Sequence, residues 1–269
     1  MPELPEVETI KNELTPLVVG RRIKSVEFLW AKTLLSPSIA EFGARVNGRT
    51  ITVLDRRGKY LIMRLDSGDS LLVHLRMTGS FYVSRGPSPD SKHTRAIIHL
   101  DDGSNAYFID PRKFGKFQLV SDAADTLKKL GIEPLSADFT AVALAGLLAG
   151  KKAPVKAALL EQEAIAGIGN MYADEALFEA RIHPERPAES LSQAEVKRLH
   201  CAIRQVLRRA IENKGASIAN YFRPDGERGK AHEDFKVAHR RGACPVCGGP
   251  IERIVVRQRG TYFCPACQR

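Results

Sequence analysis

Four cysteines near the end of the chain constrain its folding more than any other feature. Cys244-x2-Cys247 and Cys264-x2-Cys267 are separated by 16 residues, a spacing typical of four-cysteine zinc sites. Zinc takes near-tetrahedral ligation, and two Cys-x2-Cys knuckles at the two ends of one hairpin supply it. Two unrelated redox pairs fit this spacing less well. Between the knuckles, Ile251-Glu-Arg-Ile-Val-Val256 and Tyr262-Phe263 read as strands and Gln258-Arg259-Gly260 as the turn. Four thiolates leave no open coordination position, so one structural zinc is expected. The hairpin would present Arg253, Arg257 and Arg259, a set of cations suited to nucleic-acid backbone.

The charge balance points the same way. Over 269 residues Lys+Arg exceed Asp+Glu by 41 to 31, a formal charge of +10. Residues 221–269 hold ten Lys/Arg against five Asp/Glu, half of that excess. A polyanion is the expected partner, most often nucleic acid. The chain is 43% hydrophobic, which argues against a disordered tail protein, and its length allows one large domain or two medium ones. Its longest helix-compatible apolar run, residues 139–150, is too short to span a bilayer. The acidic, proline-rich opening is unlike a signal peptide. Five cysteines in this length predict a reducing compartment and no disulfide scaffold.

Hydrophobic spacing divides the chain. Pro5 suits a helix start, and Val7, Ile10 and Leu14 predict a short helix to about Thr15. From Ile23 to Val120 short strands alternate with turns such as Asp66-Ser-Gly-Asp69 and Asp101-Asp-Gly103, predicting an antiparallel sandwich or barrel-like domain. After Pro134 the pattern is helical. Ser136 or Asp138 is expected to cap a helix through about Leu148, Pro154 to open another through Gln162, and Asn170 to start a third ending before Pro184. Ser192 and Glu195 make a capping box for a fourth, with Val196, Leu199, Ile203, Leu207, Ala210 and Ile211 as its apolar stripe and Gly215 as its stop. Cys201 lies off that stripe and reads as a small apolar residue without a role. Residues 215–235 read as one long mobile loop.

The front of this basic chain is acidic: Met1-Pro-Glu-Leu-Pro-Glu-Val-Glu8. Removal of Met1 would expose the secondary amine of Pro2. An α-amine near pKa 7.8 is roughly 14% neutral at pH 7, whereas a lysine is under roughly 0.1%. A neutral amine is a competent nucleophile toward an aldehyde-like carbon. The positive end of the first helix disfavours the ammonium, while Glu3 and Glu6 favour it. From these residues alone, a capped helix start with solvated acids remains open as the alternative.

Six stretches in order carry a likeness over the whole chain. They are Pro2-Glu-Leu-Pro-Glu-Val-Glu8, Arg56-Arg-Gly-Lys-Tyr60, His74-Leu-Arg-Met-Thr-Gly79, Asp110-Pro-Arg-Lys-Phe-Gly115, Gly167-Ile-Gly-Asn-Met-Tyr-Ala-Asp-Glu175 and the terminal Gln258-Arg-Gly-Thr-Tyr-Phe-Cys264 with its cysteines. With them the chain resembles the formamidopyrimidine-DNA glycosylases, bifunctional repair enzymes that excise oxidised purines and cut the strand at the abasic site.

The resemblance implies an α+β fold: an N-terminal antiparallel β-sandwich with flanking helices over 1–130, then a helix–two-turns–helix DNA-binding domain over 131–220. A lesion-recognition loop and linker over 221–240 and a zinc finger over 241–269 complete it. It implies that Pro2 attacks the anomeric carbon, that Glu3 is the general acid that helps open the sugar, and that Glu6 holds the catalytic end. Lys59 would be the proton donor of β-elimination, and Arg259 would serve δ-elimination. Met77, Arg112 and Phe114 match void-filling positions, and His74, His93, Arg112, Lys152, Lys156 and Asn170 match DNA contacts. Damaged double-stranded DNA is the implied partner, the implied state is a monomer, and the implied setting is a bacterial cytoplasm at the nucleoid, with no membrane.

Two other readings compete. The sister enzymes that remove oxidised pyrimidines carry glycine where Leu4 stands here. A zinc-hairpin DNA-binding protein without catalysis would not need Pro2, Glu3, Glu6 and Lys59 together. The chain departs from its relatives at Lys236-Val-Ala-His-Arg240, where they carry a tyrosine, and at Lys230-Ala-His-Glu-Asp-Phe235, where they are glutamine-rich.

Overall fold

The computed structural model describes residues 2–218, 221–240 and 242–269. Met1, whose removal the Pro2 reading requires, lies outside the described residues, as do Ala219, Asn220 and Arg241. The chain forms two compact units: Met1–Lys128 with Asn213–Lys230, and Lys129–Glu212 with Ala231–Arg269.

The first unit opens with helix α1 (Leu4–Val18) and continues with β1 (Ile23–Phe28), β2 (Leu34–Ser36) and α2 (Ile39–Val46). Strands β3 (Ile51–Arg57), β4 (Tyr60–Leu65), β5 (Ser70–His74), β6 (Ser80–Ser84), β7 (Thr94–Leu100), β8 (Asn105–Ile109) and β9 (Lys116–Val120) follow, then a short α3 (Ala123–Leu127). Two sheets result, ordered β1-β7-β8-β6 and β2-β9-β5-β4-β3. Alternation drives their packing: Phe117 and Leu119 of β9 face inward while their neighbours stay half-exposed. Both sheets and α1 bury one shared core that includes Ile10, Leu14, Leu61, Val73, Ile98 and the touching rings of Phe81, Phe108 and Phe117.

The expected antiparallel sandwich departs from that pattern at one place, where β2 runs parallel to β9. Helix α1 runs past Thr15 to Val18, because burying Val18 outweighs the hydrogen bond that Pro16 cannot make. Helix α2 had a readable signal that periodicity alone passed over. Ser38 accepts the Glu41 N–H at its N-terminus, and Phe42 and Val46 are buried.

The second unit contains α4 (Ala141–Leu148), α5 (Val155–Leu160), α6 (Asn170–Glu179), α7 (Gln193–Glu212) and the hairpin β10 (Glu252–Val256) and β11 (Arg259–Phe263). Thr140, not Ser136 or Asp138, caps α4: its hydroxyl accepts the Ala143 N–H, whereas Ser136 bonds back to the Glu133 carbonyl. Helix α5 stops before Gln162 because that side chain braces the next loop, donating to Ile168 O and accepting from Gly167 N. Helix α7 forms as its capping box predicts. Ser192 N and Oγ both donate to Glu195, and Glu195 N donates back to Ser192 Oγ. The α7 stripe is buried except Ile211, which is half-exposed, and Cys201 is exposed.

Residues 215–235 are not one free loop. Ala216 bridges Lys230, Gly229 N donates to Ser217 Oγ at 2.9 Å, and Arg223 pairs with Glu13 of α1 at 2.8 Å. The segment therefore belongs to the first unit as far as Lys230, and a short 3-10 turn, Ala231–Asp234, begins the return to the second.

Arg186 adds an ion pair to the Ser192–Glu195 cap and holds the Glu195 carboxyl down at about 2. Ser192→Ala should cost about 1 kcal/mol. In a scanning calorimetry trace the second unit's melting temperature should fall by about 4 °C.

Candidate active site and metal centre

Helix α1 begins in a small network of buried acids. Glu3 and Glu6 are 2% and 1% exposed, and Pro2 is buried beside them. Glu6 Oε2 accepts the Glu3 N–H at 2.7 Å, while its Oε1 accepts the Ala216 N–H at 2.8 Å. One carboxylate thus joins the entry of α1 to the late segment of the same unit. The fit is close: a Cβ on Gly215 would stand 3.0 Å from Glu6, and this glycine also holds a left-handed φ of 75°.

Lys59 lies in the two-residue turn between β3 and β4, where Gly58 supplies a positive φ of 57°. The lysine is only 8% exposed. Arg56 fastens this turn to α1 through an ion pair with Glu8 at 2.7 Å, and it also donates to the Gly58 carbonyl. Burial raises the Glu8 carboxyl, but Lys11 and Arg56 outweigh it and hold it below the usual range. The structure therefore sets the Lys59 turn against the first turns of α1.

His74 ends β5 opposite Tyr60, with the two rings edge to face at 4.6 Å. Its Nδ1 accepts the Arg76 N–H at 2.9 Å, which leaves Nε2 to carry the ring proton. Burial, with the charges of Arg76 and Lys59 nearby, pushes the imidazole down to about 3. His74 is thus a neutral hydrogen-bond donor, not a cation. His93 is half-buried, with Nδ1 2.6 Å from Asp90 Oδ2.

Met77 and Phe114 are among the exposed large apolar side chains, at 40% and 46%. They sit on separate loops, β5–β6 and β8–β9, which Asp110 ties together. The Asp110 carboxylate is buried and accepts from Thr78 Oγ, from Arg112 N at 3.2 Å and from Gly115 N at 2.7 Å. Gly115 is required where it stands, because a Cβ there would meet the Phe108 ring at 2.3 Å. The Arg112 guanidinium lies 4.9 Å from the Phe114 ring, and the Lys113 ammonium 4.3 Å from Trp30. An exposed methionine, an exposed arginine and an exposed aromatic ring therefore stand on two joined loops.

In the second unit Lys152 is exposed ahead of α5, and Asn170 opens α6 after the Gly167-Ile-Gly169 loop. Lys156, expected as a DNA contact, is fully buried, with its ammonium 2.6 Å from Asp174. Unpaired, such a buried cation would carry a prohibitive desolvation cost, and Asp174 offsets it. Burial pushes the Asp174 carboxyl up to about 7 against the pull of Lys156.

The ligating atoms of Cys244, Cys247, Cys264 and Cys267 all lie within 4.8 Å of one another. Four sulfurs at that separation fit one tetrahedral zinc and leave it no free position. The site is built onto α6: Phe178 and Val237 pack with Cys244 and Cys264. The hairpin turn lies one place earlier than expected. Arg257 and Gln258 occupy it with φ of 45° and 64°, and Arg259 is already the first residue of β11, paired with Val256. That left-handed pair is the geometry a two-residue hairpin needs. Arg253, Arg257 and Arg259 are all exposed.

Comparison with known proteins agrees with this architecture. Residues 1–117 match the formamidopyrimidine-DNA glycosylase N-terminal domain, 130–221 the H2TH domain of the same glycosylase, and 243–269 the zinc finger found in FPG and IleRS. The chain belongs to the formamidopyrimidine-DNA glycosylase family. A formamidopyrimidine-DNA glycosylase of Symbiobacterium thermophilum is 49% identical, over 100% of this chain and 89% of its own length. The enzyme of that name from Chloroflexus aurantiacus is 47% identical, over 100% of this chain and 98% of its own. Among solved structures, the MutM (Fpg) protein of Thermus thermophilus superposes with a TM-score of 0.89 at 43% identity, covering 99% of this chain and 98% of that one. A Lactococcus lactis Fpg mutant in complex with DNA containing Fapy-dG gives 0.93 at 36% identity, covering 100% of both chains. As a member of this family the protein is a DNA-repair glycosylase, and its four cysteines are the site of one structural zinc. Among the described residues, no helix is long and apolar enough to cross a membrane.

Sequence reasoning passed over the acids that hold this glycosylase's loops. Asp110 was readable only as part of Asp110-Pro111, a turn-opening pair. Glu175 is buried and accepts the backbone N–H groups of Lys236, Val237 and Ala238 at 2.8–3.0 Å. Nothing in its local spacing announces that role. The divergent 236–240 stretch is thereby held by its backbone, whatever side chains it carries.

Two outcomes follow from this geometry. Ring resonances of His74 should stay flat in an NMR titration between pH 5 and 8, where an ordinary histidine shows a midpoint near about 6.5. The unfolded chain protonates this ring near that value and the folded one only near 3, so its contribution to stability is present above about pH 6.5 and fades as pH falls toward 3. Cys247→Ala should release the zinc and weaken DNA binding, because a lone two-stranded hairpin has no independent stability; metal analysis and a DNA titration on the same sample check it.

Proposed function

We propose that this glycosylase excises oxidised purines, 8-oxoguanine and formamidopyrimidines, from duplex DNA through a Schiff base at Pro2, and then cuts the strand by β,δ-elimination. The observation that carries this reading is the buried start of α1. There, Glu6 pins the backbone of Glu3 next to Pro2, and Arg56–Glu8 fastens the Lys59 turn to the same helix. A nucleophile and its acids held this way have their orientation set before substrate arrives.

The chemistry assigned to these groups balances as follows. With Met1 removed, the neutral Pro2 amine bonds to C1′ and the bond from C1′ to the damaged base breaks, the base leaving with the electron pair and gaining a proton. Glu3 gives a proton to O4′ as the C1′–O4′ bond opens, leaving an iminium between Pro2 and C1′. The iminium acidifies C2′–H; loss of that proton expels the 3′ phosphate, with Lys59 as the proton donor. Loss of the C4′ proton then expels the 5′ phosphate from C5′, the step assigned to Arg259. Water hydrolyses the remaining imine and frees Pro2. A one-nucleotide gap remains.

Reaching C1′ requires the base to leave the stack, at a cost of a few kcal/mol. Met77, Arg112 and Phe114, joined through Thr78 and Asp110, are shaped to offset it: the wedge and ring fill the void and the guanidinium meets the orphaned partner base. In the same unit His74 donates from Nε2 and His93 holds phosphate; in the second unit Lys152 and the N-terminus of α6 at Asn170 hold phosphates. A cavity of about 550 Å³ between β6 and residues 222–226, walled by Phe81, Tyr82 and Phe222 with Thr78, Asp90 and His93, lies beside these loops. In this reading residues 1–130 carry catalysis, 131–220 and 241–269 grip the DNA backbone, and 221–240 covers the extruded base. The enzyme acts on damaged duplex DNA as a monomer in a bacterial cytoplasm, where thiolates stay reduced for zinc. Relatives bear on the substrate: Lactococcus lactis Fpg has been crystallised with Fapy-dG DNA and with abasic-site DNA.

Borohydride trapping is the test. Incubated with duplex DNA carrying 8-oxoguanine opposite cytosine and reduced, the protein should become covalently linked, Pro2→Gly should lose most of that product, and undamaged duplex should give none. No adduct with the wild-type chain removes the Schiff-base mechanism. Equal trapping on oxidised pyrimidines removes the purine assignment alone.

A further inference from the structure

A chain of polar contacts runs from the interior of the second unit to the backbone of Arg259. It starts at the Lys156–Asp174 pair, whose side chains are 0% and 1% exposed. Apart from this ion pair, the Lys156 ammonium donates to Thr261 Oγ at 2.7 Å and to the Gly260 carbonyl at 3.3 Å. The Thr261 hydroxyl, having accepted from Lys156, donates its own proton to the Arg259 carbonyl at 2.9 Å. Asn170 Nδ2 also donates to the Gly260 carbonyl, at 2.9 Å, and the Tyr262 N–H donates to Asp174 Oδ2 at 3.1 Å. Helices α5 and α6 therefore hold four consecutive residues of the hairpin, 259 to 262, on its inner side.

Stability alone does not call for such a device. A buried ion pair recovers little beyond its desolvation cost, and two apolar side chains of similar volume would stabilise as well or better. What an ammonium adds is direction. It carries N–H donors, and here they bond a hydroxyl and a carbonyl in fixed places while the Asp174 carboxylate pairs with the charge. The residue just before the held stretch is Gln258, which with Arg257 forms the left-handed turn. Arg259 is thus the point where a strained, exposed turn meets an anchored strand.

We propose that Lys156, Asp174 and Thr261 are positioning residues for Arg259, fixing the backbone from which its guanidinium extends and so setting how much of the strand cutting continues from β- to δ-elimination. This deepens the function proposed above and rests on the part given there to Arg259. Loosening the anchor leaves the bond between Pro2 and C1′ and the first elimination in place, and lowers the second.

The experiment measures both end groups on one denaturing gel, the 3′ unsaturated aldehyde left by β-elimination and the 3′ phosphate left by δ-elimination. Thr261→Val removes the hydroxyl link while keeping the side-chain shape. It should retain one zinc per chain and its trapped adduct, and lower the ratio of δ to β product about fivefold, the effect of one net hydrogen bond. Thr261→Ser, which keeps the hydroxyl, should restore the ratio, as a merely space-filling role would not. The double variant Lys156→Met with Asp174→Leu, which leaves no unpaired buried charge, should behave as Thr261→Val does. Arg259→Ala is the reference. A wild-type ratio in Thr261→Val beside a lowered one in Arg259→Ala overturns the positioning role. An unchanged ratio in Arg259→Ala instead overturns the part given to Arg259. Hydrogen exchange at amides 259–262 then decides the anchor by itself: faster exchange in zinc-replete Thr261→Val upholds it, and unchanged exchange overturns it.

Discussion

The Glu6 carboxylate accepts backbone N–H groups from Glu3, three residues away, and from Ala216, 210 residues away in sequence. The first unit is built from two separate stretches of chain, and this is one of the places where they are joined. An exposed ion pair could not do the same work, because it is screened and geometrically loose. Buried at 1% exposure, the same carboxylate must keep hydrogen-bond partners or suffer a large desolvation cost. That penalty makes the joint specific. It also explains why the residue next to it, Gly215, carries no side chain: a Cβ there would crowd Glu6.

Other acids repeat the device. Asp110 gathers Thr78, Arg112 and Gly115 around one carboxylate, which joins two loops. Asp174 takes Lys156 and the Tyr262 N–H, and Glu175, its neighbour on α6, takes three consecutive N–H groups from 236–238. Burial pushes the Glu175 carboxyl up, and those N–H groups draw it back. In each case a carboxylate removed from water is met by backbone N–H groups, and the backbone so held belongs to a loop or hairpin of the same unit. The positive excess of the chain is displayed at exposed Lys152, Arg112, Arg253, Arg257 and Arg259, whereas these acids are inside.

Much of this was legible along the chain, and the reason is local geometry. Ser192 and Glu195 are three residues apart, the distance at which a helix start lets each reach the other's backbone. Paired cysteines with two residues between them specify a knuckle, and 16 residues are enough for a hairpin that brings two knuckles together. The alternation of β9 and the stripe of α7 declare which side is buried without saying against what. The likeness of the six quoted stretches to one family rests on short runs of residues, and the matched domains agree with it. Where local signals are weaker, tertiary packing shifts the boundaries by small amounts. Helix α1 extends to Val18, Thr140 caps α4, and the hairpin turns at Arg257-Gln258.

By itself, then, the sequence determined where one metal is held and which segments are mostly helix or strand, since each of these depends on spacings of a few residues. Only the tertiary structure decided what each charge is for. Lys152 and Lys156 stand four residues apart with nothing in their spacing to separate them, yet one is exposed and the other is fully buried against Asp174. Glu6 is met by the Ala216 backbone 210 residues away, and Asp110 by the Thr78 hydroxyl of another loop. Whether a charge faces water or the interior depends on segments brought together from afar, and the desolvation cost at that place then dictates its partner.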